Sequence, residues 1–89
     1  MKTIWKYPIR MTTERIPLEV PAKAFPLKLA NDYTSQLCLW MAVDDEHEKV
    51  PAEITIVGTG ERLPADAGAY LDTIFVSSFV FHFFYKEVE

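Results

Sequence analysis

One aromatic stretch constrains the fold of this chain more than any other part of the sequence. Residues 78–85 read Ser-Phe-Val-Phe-His-Phe-Phe-Tyr. In a β-strand alternate side chains share a face, which groups Phe79, Phe81, Phe83 and Tyr85 on one side and Val80, His82 and Phe84 on the other. Because both faces are apolar, we expect an interior strand with one face on the core. The other face then needs cover from the chain's own loops or, as we slightly prefer, from a second copy.

Six further segments alternate or carry β-branched residues in the same way, and no segment shows helical periodicity over ten residues. With the aromatic stretch, the predicted strands are residues 3–9, 14–20, 24–30, 36–43, 53–59, 69–76 and 79–88. Short spacing without helices predicts an all-β fold: a small antiparallel sandwich or barrel of six to seven strands, connected as a meander, with little or no helix. We expect a single β domain over residues 1–89.

Local features refine the strand predictions. Pro8 and Pro17 cannot donate to a ladder, so the first two strands are expected at sheet edges, next to each other. In the third strand, alternation predicts that Phe25, Leu27 and Leu29 face inward. The pair Ser77-Ser78 lacks the Asn-Gly or Asp-Gly sequence that favours a tight hairpin, so the register of the last two strands stays open.

The sequence also indicates the cellular compartment in which we expect the protein. Cys38 is the only cysteine, which excludes an intrachain disulfide and fits a reducing environment. Lysines interrupt the first six residues, and the longest apolar run, residues 74–84, is shorter than the roughly 20 residues that a membrane helix needs. We therefore expect a cytoplasmic protein, in the host cytoplasm if a phage encodes it, without membrane contact.

Charge is distributed unevenly along the chain. The net charge of −4 argues against general nucleic-acid binding. Residues 1–30 contain six basic and two acidic residues, or +4, whereas residues 31–89 contain three basic and eleven acidic residues, or −8. These charges cancel if basic strands lie beside acidic ones; otherwise a basic patch can meet an anionic partner or the acidic part of a neighbouring subunit.

No pattern predicts catalysis, a metal or a cofactor. The turn 58–60, Gly-Thr-Gly, lacks the third glycine and the helix of a dinucleotide-binding fingerprint, although its amides can contact a ligand. Cys38, His47 and His82 lie on separate segments, without the close ligand pair of a zinc site. Four residues of one extended strand separate Ser78 from His82 by about 13 Å, which excludes a direct nucleophile–base pair. We predict that the protein is not an enzyme.

The best candidate binding surface lies on the first strand. Aromatic residues with basic neighbours are typical of interfaces, although the two aromatic side chains here can also cover one end of the core. Thr59, in the glycine turn, and His82, on the aromatic strand, are added as the remaining polar candidates. The candidate residues are Trp5, Lys6, Tyr7, Arg10, Thr59 and His82.

Four short motifs occur in an order that is similar to a known set of proteins. They are Trp-Lys-Tyr-Pro at 5–8, Cys-Leu-Trp at 38–40, Ile-Val-Gly-Thr-Gly at 56–60 and Phe-Val-Phe-His-Phe-Phe at 79–84. The chain resembles a family of small uncharacterised proteins, a domain of unknown function, encoded by phages, prophages and bacteria. That resemblance implies a context and no site residues. The region after Gly60 and the end of the chain beyond Phe84 depart from it.

Two functional hypotheses follow from these observations. The first is a non-enzymatic accessory protein of phage type that binds a host protein or a small anionic ligand, with an anti-defence role among its functions. The alternative is a structural or virion-associated protein whose edge strands form homo-oligomers. A small enzyme with an unrecognised site ranks third.

Overall fold

The computed structural model describes residues 1–88, and all regular structure in this range is β-strand. Every one of the seven predicted strands is present, with ends shifted by at most a few residues. The strands are β1 (Lys2–Pro8), β2 (Arg15–Pro21), β3 (Phe25–Asn31), β4 (Leu37–Asp44), β5 (Lys49–Gly58), β6 (Ala69–Val76) and β7 (Phe79–Glu87).

Two antiparallel sheets form the molecule. The first has the strand order β1-β4-β3 and the second β2-β5-β7-β6. They approach each other most closely where β3 passes β6 and where β2 passes β4. The shortest dimension, 18 Å, matches two sheets packed face to face about 10 Å apart with their outer side chains. The prediction of a small all-β sandwich is confirmed.

The predicted meander is wrong. Only β3–β4 and β6–β7 are hairpins between consecutive strands, whereas β1 pairs with β4, β2 with β5, and β5 with β7. The chain crosses from one sheet to the other after β1, after β2 and after β4. Each sheet buries one apolar face against the other. Alternation reveals that a strand has an apolar face but does not reveal its neighbours.

Pro8 and Pro17 lie on edge strands, as predicted. Pro8 ends β1, an edge strand of the first sheet, and Pro17 lies within β2, an edge strand of the second. The two strands do not lie next to each other, since they belong to different sheets. Each sheet therefore has one edge on which a missing amide costs no ladder hydrogen bond.

The aromatic strand β7 is interior, between β5 and β6, as expected. Phe83 and Tyr85 are buried in the core, whereas Phe79, near the turn, is 64% exposed. Val76 pairs with Phe79, so Ser77 and Ser78 form a two-residue hairpin loop. Ser77 has φ 55°, the left-handed conformation that a tight hairpin turn requires at its first position. This fixes the register that the sequence left open.

A bulge in β3 corrects the predicted inward face of that strand. Phe25 and Leu27 are 58% and 49% exposed, and only Leu29 is buried as predicted. The pairing with β4 shifts between Pro26 and Lys28, so Leu27 is the extra residue. One extra residue reverses which face the following side chains occupy, and simple alternation cannot anticipate it.

The connection between β5 and β6, residues 59–68, covers part of the outer face of the second sheet. Thr55 and Val57 belong to that outer face and are nevertheless buried. Arg15 holds the connection in place, because its guanidinium donates to Asp66 at 2.7 Å and to Glu53 on β5 at 2.6 Å. The chain itself therefore covers the β2–β5 half of this face.

Candidate functional site

The six candidate residues fall into two groups on different sheets. Trp5, Lys6 and Tyr7 lie on β1 and Arg10 follows it, exposed. His82 lies on β7, and Thr59 directly follows β5, the neighbour of β7. The structure brings Thr59 and His82 together and leaves the β1 group apart from them.

The aromatic residues of β1 face the core, and Lys6 faces away from it. Trp5 and Tyr7 are half-buried and pack against the core cluster. The ammonium of Lys49 lies 5.8 Å from the centroid of the Trp5 ring. Trp5 and Tyr7 thus cover one end of the core, which is the alternative that the sequence left open for them.

Lys6 points to the outer side of the first sheet. Its Nζ lies 2.8 Å from a carboxylate oxygen of Asp32 and 5.9 Å from the centroid of the Trp40 ring. Both contacts fix the ammonium above the sheet, since a cation is attracted by a carboxylate and by the face of an indole. The hydrogen bond to Asp32 also raises the pKa of Lys6.

Asp32 organises the turn between β3 and β4. Its carboxylate accepts hydrogen bonds from the Thr34 amide at 2.8 Å, the Thr34 hydroxyl at 2.5 Å and the Gln36 amide at 3.1 Å. Lys6, then Thr34, hold the pKa of Asp32 well below its usual range. The turn is therefore built around an ionised carboxylate that also positions Lys6.

The strand register assembles a basic and aromatic surface on the outer side of the first sheet. Trp40, on the central strand β4, has Lys6 as its partner on β1 and Lys28 as its partner on β3. The next row along the same face consists of Ile4, Ala42 and Phe25. We call this surface the basic face and define it by the residues Ile4, Lys6, Phe25, Lys28, Trp40 and Ala42.

Large apolar side chains are unusually accessible on the basic face. Ile4 is 59% exposed and Phe25 58% exposed, and Trp40 is half-buried between the two lysines. At the end beyond Phe25 the face continues into a mostly apolar cavity of about 400 Å³, whose lining includes Lys2, Lys23 and one acid, Asp44. Accessible aromatic and aliphatic groups with a lysine rim are typical of a protein or ligand interface.

Sequence reasoning found Lys6 and missed the other members of the basic face. Alternation correctly separates Trp40 and Ala42 from the core side of β4, so the signal for an outward tryptophan is present. The predicted meander places β3 beside β4, but the sequence contains no signal that β1 flanks β4 on the other side, nor that the bulge at Leu27 places Lys28 opposite Trp40. Those two facts join the residues into one surface.

The second group forms a chain of hydrogen bonds on the outer face of the other sheet. His82 Nε2 lies 2.8 Å from the Thr59 hydroxyl, and His82 Nδ1 lies 2.9 Å from the Thr73 hydroxyl. The Thr73 hydroxyl in turn lies 2.7 Å from the Tyr70 hydroxyl. Both imidazole nitrogens form hydrogen bonds with hydroxyls and neither with a carboxylate. This series of hydrogen bonds therefore lacks the acid that orients the base in a nucleophile–base–acid triad.

Residues 1–88 contain neither a cluster of metal ligands nor a helix suited to span a membrane. In that range no group of three or more histidine, cysteine, aspartate or glutamate side chains is placed to hold a metal ion. Cys38 is a buried free thiol, and burial raises its pKa. The described residues also include no helix of the length and apolarity needed to cross a membrane.

Comparison with known proteins gives one match. No curated protein and no solved structure matches the chain. The sequence pattern of the family described as Domain of unknown function (DUF7352) matches residues 1–89. Since this match spans all 89 residues of the sequence, the chain belongs to the DUF7352 family.

Proposed function

We propose that this chain is a small non-enzymatic accessory protein that binds an anionic partner on its basic face. The observation that carries the proposal is the row Lys6–Trp40–Lys28, in which two cations flank an indole across three adjacent strands. A carboxylate or phosphate group pairs with the ammonium groups, while an aromatic or aliphatic group packs on the ring.

The charge distribution supports an anionic partner. The excess of basic residues in the first 30 positions includes Lys2, Lys6, Lys23 and Lys28, which lie on or beside the basic face. The remaining 59 residues carry the acidic excess. The four lysines outnumber the two carboxylates on or beside this face, Asp32 and Asp44, and a net basic surface on an acidic protein orients an approaching anionic partner. Because the protein has a net charge of −4, it has no general attraction to polyanions. Recognition of an anionic partner therefore depends on this one surface.

The shape of the surface favours an acidic protein over a small ligand. The three strands of the first sheet present an open face about 10 Å across, with neighbouring strands about 4.8 Å apart. Small molecules usually bind in concave sites that enclose most of their surface. A host protein is therefore the preferred partner, and a small anion held at the Lys2–Lys23 cavity is second.

The family resemblance supports the biological setting. The motifs at 5–8, 38–40, 56–60 and 79–84 resemble those of proteins encoded by phages, prophages and bacteria. A small binding protein in the host cytoplasm fits an accessory role such as interference with a host defence protein. No step of chemistry on the partner is part of the proposal.

Binding to anionic probes tests this function. The probes are an acidic peptide that contains aromatic residues and, separately, a set of nucleotides, with binding followed by titration calorimetry at two salt concentrations. We expect at least one probe to bind, with affinity that falls about tenfold or more in Lys28→Glu and also falls as salt rises.

Arg62→Glu supplies the matched control. Arg62 is an exposed cation in the connection between β5 and β6, away from the basic face, and its reversal makes the same change in net charge. It should leave binding nearly unchanged. The proposal is wrong if no anionic probe binds the wild-type protein, or if both charge reversals weaken binding equally.

A further inference from the structure

The hairpin formed by β6 and β7 ends in an exposed apolar tip. Phe75 is 75% exposed, Phe79 64% and Val76 43%. Residues 75–80 read Phe-Val-Ser-Ser-Phe-Val and contain no charge. Monomeric proteins seldom expose so many large apolar side chains in one place, so this tip indicates a surface that meets a partner.

One strand of this hairpin, β6, is the edge strand with the least protection against pairing with another strand. β1, β2 and β3 are the other edges, and each carries both proline and lysine or arginine. β6 contains no proline, and Asp72 is its single charged residue. Prolines and charges on an edge prevent pairing with another strand, and β6 lacks this protection.

Part of the β6 edge is shielded within the molecule. Tyr70, Leu71 and Asp72 line a cavity of about 180 Å³ together with residues 26–29 of β3. The second half of the strand, from Thr73 to Val76, runs beyond this cavity. Within residues 1–88 the only strand that pairs with β6 is β7. On the side away from β7, the amide of Thr73 already donates to Asp72 at 2.7 Å, and the remaining outward amides and carbonyls of residues 73–76 are available for another strand.

We propose that a second copy of this chain pairs with the free half of β6, antiparallel and centred on Phe75. In this register Phe75 lies opposite Phe75 of the second copy, and Ile74 lies opposite Val76. A two-fold axis perpendicular to the sheet keeps each residue on its own face, so apolar side chains meet apolar side chains on both faces. The two four-stranded sheets become one eight-stranded sheet.

Charge selects a second copy over an anionic membrane surface as the occupant. From Leu63 to Tyr85 the chain has no lysine or arginine, so the hairpin itself offers no cation to acidic lipids. Although each copy carries a charge of −4, the paired segments themselves are uncharged. Two copies therefore approach at this edge without direct repulsion. The basic face lies on the other sheet and stays free in the dimer.

Sedimentation velocity over a range of concentrations tests the dimer. We expect the wild-type protein to shift from monomer toward dimer as concentration rises, and Phe75→Lys to raise the dissociation constant about tenfold or more by placing two lysines opposite each other. Tyr33→Lys is the matched control. It replaces another exposed aromatic residue, 97% exposed in the turn between β3 and β4 and outside the basic face, and should dimerise like the wild type.

Amide hydrogen exchange identifies the surface independently of any variant. If the edges pair, protection of amides within residues 73–77 rises with protein concentration, while protection of the β3 edge does not. A wild-type protein that is monomeric at millimolar concentration overturns the proposal, as does a dimer without protection at 73–77. Co-sedimentation with anionic vesicles that Phe75→Lys abolishes would also overturn it, in favour of a membrane contact.

Discussion

At the scale of single residues, the burial of two tyrosine hydroxyls lowers the stability of the protein. Tyr7 on β1 and Tyr85 on β7 project from opposite sheets, and both hydroxyls are buried without a hydrogen-bond partner among the described residues. Burial raises the pKa of both phenols, that of Tyr85 to about 12, with the charge of Glu87 as a smaller contribution. The rings contribute packing while the hydroxyls lose hydration.

Tyr85→Phe should leave the stability of the protein unchanged at neutral pH or raise it. The substitution keeps the ring in the core and removes a hydroxyl whose desolvation is uncompensated, which is worth up to about 1 kcal/mol in the free energy of unfolding. Urea unfolding at pH 8 measures this difference. Tyr33→Phe, at a position 97% exposed, is the neutral control.

Tyr85→Phe should also change how the stability of the protein depends on pH in alkaline solution. The pKa of Tyr85 is higher in the folded state than the usual 10.0, so its contribution is complete below pH 10 and is lost as pH rises toward 12. Tyr85→Phe should flatten the loss of stability between pH 10 and pH 12. A loss of more than about 1 kcal/mol at pH 8, or an unchanged alkaline slope, contradicts the assignment of an unpartnered hydroxyl.

At the scale of elements, the connection 59–68 depends on one glycine. Gly68 has φ 97°, and a Cβ at this position would overlap the carbonyl oxygen of Tyr85. The backbone of the connection thus passes directly against β7 just before β6 begins. Only a residue without a side chain allows this approach.

Gly68→Ala should lower the free energy of unfolding by about 3 kcal/mol, because it combines a left-handed φ with a backbone clash. Gly60→Ala is the matched control. Gly60 has φ 90° but open space where a Cβ would lie, so it should lose only about 1 kcal/mol. Thermal and urea unfolding of both variants measures the difference. Equal losses would mean that conformation alone, and not the approach to β7, fixes Gly68.

At the scale of the whole molecule, ionised carboxylates tie together parts that are distant in sequence. Asp66 bridges Arg15 on β2 and Lys86 on β7, and these two cations, Arg15 foremost, lower its pKa to about 2. Asp32 plays the same role between the β3–β4 turn and Lys6. Neither sheet is held by a covalent crosslink, since Cys38 is the single cysteine.

Stability should therefore fall in acid. Both carboxyl groups have a folded-state pKa below the usual 3.8, so their contribution is complete above about pH 5 and is lost as pH falls through 4 toward 2. Urea unfolding at several pH values measures the slope. Asp66→Asn should be less stable at pH 7 and should show a smaller fall in acid; an acid slope identical to that of the wild type would contradict the role of Asp66.

The sequence by itself determined the class of the fold. Alternation of apolar residues located all seven strands, and Pro8 and Pro17 assigned two of them to edges, because a residue without an amide hydrogen has few other places in a sheet. The aromatic composition of residues 79–85 predicted an interior strand correctly. These features are local, since they depend on the period of a strand and on the chemistry of single residues.

Only the tertiary structure decided that β1 meets β4, that β2 meets β5 and that β5 meets β7. Pairing β4 with both β1 and β3 sets Lys6 and Lys28 on either side of Trp40. Without the bulge at Leu27, that residue and not Lys28 would stand opposite the indole. Strand order and register arise from packing between distant segments, which no local pattern encodes. For the same reason, the sequence identified an aromatic strand and a basic amino-terminal region but could not assemble the basic face.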